Sequence, residues 1–361
     1  MAADHAPVTR SFRKDAAGSM QRVQIASIRT LGMWFRQTPR NDGWWGDTHF
    51  VFDTGQAEPD WLIVYDQAPS GFQTRVPRHR RVVFLSEPST IKHYPTAYLQ
   101  QFSIIVSISP IKVAGSTVII RNPALPWMYG IDINSPGGPR VFRDWDDLAR
   151  DHSASRPGGE ISVVCSTKTM NLNQHRRLRF LELLRAELGS RLTVFGRGFQ
   201  PITDKAEGID GYRYHLVLEN NLLDHGWTEK LADPILAGAY PIIAGGQNLA
   251  SYFDPQGFAM IDTTRPRAAI EAVRRLLEED PVRREDVRAA MANNKRRLLQ
   301  EHNFFPVATS IIEQHPSSLP LLPCAEPILP PARPRWRRMM SIPRPLRPPL
   351  RRFYLEVFER R

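Results

Sequence analysis

Short apolar runs bounded by turn residues recur from one end of the chain to the middle, and each predicts a strand. In the first part these are VQIASI (23–28), HFVFD (49–53), WLIVYD (61–66), RVVFLSE (81–87), SIIVSIS (103–109) and STVIIRN (116–122). In the second they are ISVVCS (161–166), RLTVF (191–195), HLVLE (215–219), YPIIA (240–244) and FAMID (258–262). Helical spacing lies between and after them, at 96–102, 174–189, 266–279 and 282–302. A further helix is opened by Thr228 as N-cap and ends near Gly238. Short strands alternating with helices predict parallel α/β sheets.

Ser, Pro and Gly cluster at 152–160 and mark a linker. The reading is a lead-in over 1–21 without an apolar signal region, a Rossmann-like domain over 22–155 and a second over 156–315. A Pro- and Arg-rich tail follows over 316–361. A chain of 361 residues accommodates two such domains. Hydrophobic content of 42% and charged content of 24% describe a globular protein. The formal charge of +11 is unevenly placed, because ten arginines against two glutamates put eight of those charges in 331–361. Two cysteines, Cys165 and Cys324, suggest neither a disulfide framework nor a zinc site. No apolar run is long enough to span a bilayer.

Ligands of parallel sheets bind outside the carboxyl ends of the strands. Glu219 and Asn220 fall at such an end, and Glu229 and Lys230 fall in the first turn of the next helix, whose N-terminus favours anions. Glu87 ends another strand, just before Pro88, and could serve there as a base or simply as a turn residue. His93 is a second candidate base. FGRGF (195–199) places two glycines after a strand, suiting either a phosphate or a left-handed turn, with Arg197 and Lys205 nearby. Trp44 and Trp45 could stack on a sugar ring or pack their loop onto the domain. Asp144–Asp146 is formally DxD, but it reads as the acidic start of a helix, and no metal is assigned.

The stretch around Asn220 also carries a resemblance. LEN, nine residues from Asn220 to Glu229, then TEKL and an Ala-Gly followed by a Pro-Ile strand resemble glycosyltransferase family 10, the α-1,3/1,4-fucosyltransferases. RRLRFLELL (176–184) and FGRGFQPITDK (195–205) resemble bacterial members, and the similarity is strongest over 160–262. The resemblance implies a GT-B fold, two Rossmann-like domains facing a cleft. It implies inverting transfer of fucose from GDP-fucose to a hydroxyl of a lipopolysaccharide-like cell-surface glycan, without an obligatory metal.

By that resemblance Glu87 is the general base, and Arg177, Arg197, Lys205, Glu219, Asn220, Glu229 and Lys230 face the donor. Lys230 and Arg177 would then neutralise the departing diphosphate, and Glu229 would bond ribose or fucose hydroxyls. Trp44, Trp45 and His93 fall to the acceptor side. One departure stands out: where the family has a tyrosine, three residues before the TEK glutamate, this chain has Gly226. That keeps open another nucleotide sugar on the same scaffold. A non-catalytic glycan-binding or membrane-associated protein is the reading from a different class. The tail interleaves arginine with Trp, Met, Leu and Phe, a composition suited to an anionic membrane surface. Nucleic acid is the rival partner and is not expected. The localisation that follows is cytoplasmic, peripheral on the inner membrane.

Overall fold

The computed structural model describes residues 20–29, 33–52, 58–88, 91–150, 159–167, 172–220, 222–317 and 320–331. The first sheet runs in the order Trp44–Trp45, Thr48–Val51, Gln21–Ala26, Trp61–Tyr65, Arg81–Phe84, Ile104–Ser107 and Thr117–Ile120. All neighbours are parallel except the first pair, an antiparallel edge. Alternate residues of each strand go to opposite faces. Ile63 and Tyr65 pack with Trp34 and Phe304 on one face, while Leu62 and Val64 pack with Tyr98, Leu99 and Phe102 on the other. Both faces are covered, which is why these strands are continuously apolar.

The second sheet is fully parallel, in the order Leu192–Phe195, Gly159–Val164, Tyr212–Leu218, Tyr240–Ala244 and Ala259–Met260. The helices Leu172–Leu188 and Pro266–Glu279 cover one face through Phe180, Leu184, Val273 and Leu277. The helices Glu229–Ala237 and Glu285–Gln300 cover the other through Leu231, Ile235, Leu298 and Leu299. In the first sheet Gln21–Ala26 lies between Thr48–Val51 and Trp61–Tyr65, and in the second Gly159–Val164 lies between Leu192–Phe195 and Tyr212–Leu218, so each has a switch point at its carboxyl edge. The two Rossmann-like units expected from the sequence are present.

The packing crosses the expected boundaries. Trp127, Tyr129 and Leu148 precede the linker but belong to the core of the second unit. The helix Phe304–Glu313, not among the helices expected from the sequence, returns to the first sheet and buries Phe304, Phe305, Ile311 and Ile312. The start of the assigned tail is also structured: Glu326–Pro327 pairs with Gln73–Thr74, Ile328 is buried, and Arg81 bonds Glu326. These are contacts between residues far apart in the chain, which local pattern does not record. The arginine-rich part of the tail, 332–361, lies outside the described residues.

Buried polar groups tie the units together. Gln37 Oε1 accepts from Trp127 N at 3.0 Å, and Asn303 Nδ2 donates to Gln37 O at 2.6 Å. Arg36, 1% exposed, donates to the carbonyls of Trp127 and Arg143, both at 2.8 Å. Burial pulls its guanidinium down to about 10, against the pull of Asp233, Asp204 and Asp144.

Candidate active site

The helix Glu229–Ala237 begins where its sequence says it should. Thr228 Oγ1 accepts from Lys230 N at 3.3 Å, and Gly238 closes the helix at φ 78°, a left-handed position natural to glycine. The preceding strand, Tyr212–Leu218, delivers Glu219 to this helix start. Glu219 accepts from Thr228 N at 2.8 Å and from Thr228 Oγ1 at 2.7 Å, so it braces the cap. Lys230 Nζ completes the cluster, 3.4 Å from Glu219, 3.3 Å from Glu229 and 3.1 Å from Thr228 Oγ1.

The electrostatics separate the two glutamates. Burial raises the Glu219 carboxyl, and Lys230 opposes it. Burial also works against charge on Glu229, but Lys230 and Lys205 outweigh it and bring Glu229 down to about 2. Lys230 is held charged by Glu229 and Glu219 in spite of its burial. Glu229 is therefore an ionised, acceptor-only group suited to hydroxyls, beside a fixed cation and a helix N-terminus.

These residues face Glu87 across a cleft of about 240 Å³. Glu219, Asn220, Gly226, Thr228, Glu229 and Lys230 line it from the second unit, and Arg29, Ser86, Glu87 and Pro88 from the first. Arg29 Nη2 donates to Ser86 Oγ and Glu87 Oε1, each at 3.1 Å. A second cavity of about 270 Å³ meets the cleft at Glu87, Pro88 and Ile108 and is lined by Lys92, His93 and Tyr94. Behind it Asp66 accepts from Lys92 Nζ at 2.9 Å and from Tyr94 Oη.

Several expected site residues are placed differently. Arg177 is buried, donating to Asn220 Oδ1 at 2.7 Å and Ser166 O at 3.1 Å, so it orients Asn220 and does not line the cleft. Lys205 Nζ sits 2.6 Å from the buried Asp233 and 3.8 Å from Glu229, an ion pair that positions the helix. Arg197 is exposed, and the glycine before it serves close packing: a Cβ on Gly196 would lie 2.2 Å from Cys165 O. Trp44 and Trp45 are at the wrong end of the sheet for stacking on an acceptor in the cleft. Trp45 pairs with Thr48 and Thr48 with Gln21, both first residues of their strands, whereas Glu87 follows a carboxyl end. Trp44 stacks on His49 at 4.4 Å and Trp45 packs near Trp145, so both serve the domain. Asp144 caps the helix Trp145–Ala149 in a reciprocal box with Asp147.

Reading strand ends alone missed Arg29, Ser86 and His225, which line the cleft, as does Trp227, a residue that could stand in for the family tyrosine. Arg29 follows the carboxyl end of the first strand, beside the switch point, and that position was the available signal. The glycine departure is built into the loop: a Cβ on Gly226 would lie 2.9 Å from Leu223 O.

No protein-family model matches the chain, and no curated protein sequence matches it. Among solved structures the chain is similar to an alpha1,3-fucosyltransferase crystallised with GDP-fucose, at 16% identity over 80% of this chain and 85% of that one, with a TM-score of 0.43. It is similar to a glycosyltransferase from Rickettsia africae ESF-5 at 8% identity, over 82% of this chain and 98% of that one, with a TM-score of 0.44. A lipopolysaccharide outer core galactosyltransferase, WaaB, shares 10% identity over 81% of this chain and 99% of that one, with a TM-score of 0.43.

Proposed function

We propose that the chain is an inverting glycosyltransferase that moves fucose from GDP-fucose to a hydroxyl of a cell-surface glycan. The observation that carries this is the single cleft in which Glu87 of one unit faces Glu219, Asn220, Glu229 and Lys230 of the other. Sugar transfer needs a base for the acceptor hydroxyl, positive charge for the departing diphosphate, and hydrogen bonds to the sugar. Glu87 takes the acceptor proton from the side of the first unit. Lys230 and the N-terminus of its helix receive the diphosphate, so the reading needs no metal. Glu229 accepts from hydroxyls of the sugar or ribose. Arg177 acts indirectly by holding Asn220, and the cavity beside His93 offers room for the acceptor. Attack from the face opposite the nucleotide turns a β-linked donor into an α-linked product.

The crowding at Gly226 favours a second donor within the same chemistry, a nucleotide sugar other than GDP-fucose. The test is nucleoside diphosphate release from a panel of nucleotide sugars. GDP release from GDP-fucose is the expected result, with Lys230→Ala costing roughly 2–4 kcal/mol of transition-state stabilisation. Turnover of Lys230→Ala within about threefold of wild type would remove that residue from the chemistry. Release from a different nucleotide sugar would reassign the donor.

The arginine-rich tail is read as a membrane-surface anchor, with the acceptor presented at that surface. Among the described residues no helix is long and apolar enough to cross a membrane. A chain ending at Pro331 keeps the packed Ile328 and loses the arginines. It should lose salt-sensitive binding to anionic vesicles. Undiminished pelleting with those vesicles would exclude the tail as the anchor.

A further inference from the structure

The cavity beside the cleft is lined by Glu87, Lys92 and Lys112 and by the exposed His93. Glu87 lines the cleft as well, whereas the two lysines line the cavity alone. A ligand seated here therefore meets a carboxylate on the side of the cleft and cations away from it.

Most of these charges are already matched. Arg29 lies 3.1 Å from Glu87 and 3.9 Å from Asp66, and Lys92 Nζ lies 2.9 Å from the same Asp66. Two cations and two carboxylates close that set. Lys92 spends one of its three N–H donors on Asp66, with its ammonium 5.0 Å from the centre of the Tyr94 ring. Lys112 stands outside the set, and among the described residues no carboxylate pairs with it. It is the uncompensated charge of the cavity.

The neighbours of Lys112 hold it there. It belongs to the connection from Ile104–Ser107 to Thr117–Ile120, which opens with Ser109 N donating to Ser107 Oγ at 3.2 Å. Ile111 and Val113, on either side of Lys112, pack into the core on that face of the first sheet. Arg78 donates to Gly115 O at 2.8 Å and ties down the far end of the connection.

We infer that the acceptor unit seated in this cavity is an acidic sugar, its carboxylate or phosphate held by Lys112 and Lys92 while a hydroxyl meets Glu87. The inference rests on the glycosyltransferase reading of the cleft and adds to it the class of acceptor. A neutral sugar leaves Lys112 without a counter-charge, and an anionic one completes the balance. Charge also fixes which way round the sugar sits. Its anionic group is drawn to the lysines and driven from Glu87, so a hydroxyl faces the base. The cavity, about 270 Å³, is of the size of a small-molecule site and suits a single sugar unit.

Transfer by the full chain to matched acceptor pairs tests this, with the nucleotide sugar that the chain turns over as donor. One pair is methyl glucuronide and its uncharged carboxamide; the other is methyl glucoside 6-phosphate and methyl glucoside. In one pair the acidic member should have a kcat/KM at least about tenfold above its neutral partner, the gain from one charge-assisted hydrogen bond. The pair that shows it tells carboxylate from phosphate. Lys112→Arg should keep that ratio to within about threefold, Lys112→Gln should bring the two members to within about threefold of each other, and Lys112→Glu should favour the neutral member. A ratio unmoved by Lys112→Glu overturns the inference, because damage to the fold lowers both members alike. Equal use of both members by the wild type overturns it too, as does donor turnover without transfer to either acidic sugar. Those results leave the nucleotide-sugar reading standing. A chain that releases no nucleoside diphosphate from any nucleotide sugar overturns that reading and this inference together.

Discussion

Arg29 Nη2 stands 3.1 Å from Glu87 Oε1 and 3.9 Å from Asp66 Oδ2. One guanidinium thus links the carboxylate facing the cleft to a buried carboxylate behind it. Asp66 is itself fixed, by Lys92 Nζ at 2.9 Å and by Tyr94. In the proposed function this chain of contacts would aim Glu87 from a rigid base for proton abstraction. Burial works against charge on Arg29, but Asp66, Tyr65 and Glu87 together hold its pKa above the ordinary value.

Arg29→Gln therefore leaves Glu87 in the cleft without its aim. Transfer should fall by about 10- to 100-fold in kcat, the scale of a misplaced catalytic group. Nucleotide affinity, set by the other unit, should stay within about threefold. Steady-state kinetics beside a nucleotide titration separate the two effects. A loss confined to nucleotide affinity would place Arg29 on the donor side.

Asp233 carries a structural load that its helix position does not advertise. It is 1% exposed, pairs with Lys205 at 2.6 Å, and accepts from Met128 N at 2.9 Å and Tyr129 N at 3.0 Å. Asp233→Ala strands a lysine and two backbone N–H groups, so denaturant unfolding should show a loss of about 3–5 kcal/mol. A loss below about 1 kcal/mol would mean that water or another carboxylate replaces it.

Two histidines, His215 buried and His302 half-buried, bear on the acid side of the stability curve. Burial pulls His302 down to about 4 and His215 to about 3. His302 Nε2 lies 2.8 Å from Tyr252 O, and His215 Nδ1 lies 2.8 Å from Ser162 Oγ. Below the ordinary value of 6.5 the unfolded chain takes up protons that the native chain refuses, so stability is lost as pH falls. Each histidine contributes a slope of about 1.4 kcal/mol per pH unit below 6.5, ending near 4 for His302 and near 3 for His215. Glu229 adds its own loss lower, between 4.5 and about 2. Urea unfolding from pH 7 to pH 4 reads the slope, and the His215→Phe, His302→Phe double variant should flatten it. An unchanged slope would assign the proton uptake to other groups.

What was legible in the chain was local. Thr228 and Gly238 announce both ends of their helix, and the strand YPIIA is bounded as its sequence reads. That Glu87, Glu219, Asn220, Glu229 and Lys230 line one cleft could be anticipated because strand ends and helix starts meet at the carboxyl edge of a parallel sheet. Illegible residues depend on partners far away in sequence. Lys205 reads from its neighbours as a phosphate ligand, but Asp233, 28 residues later, holds it. Trp44 and Trp45 are spent on an edge whose end of the sheet only register reveals. Phe304 and Phe305 return to the first sheet from the far side of the second, and Ile328 follows them.

The most direct test of a shared cleft is Glu87→Gln, which keeps the shape of the side chain and removes its basicity. GDP-fucose binding by calorimetry and transfer to acceptor by product assay are measured on the same protein. The account predicts donor affinity within about threefold of wild type and transfer reduced by about 100-fold or more, the range for losing a general base. Transfer at the wild-type rate with unchanged donor affinity would contradict it and move the base elsewhere, His93 first.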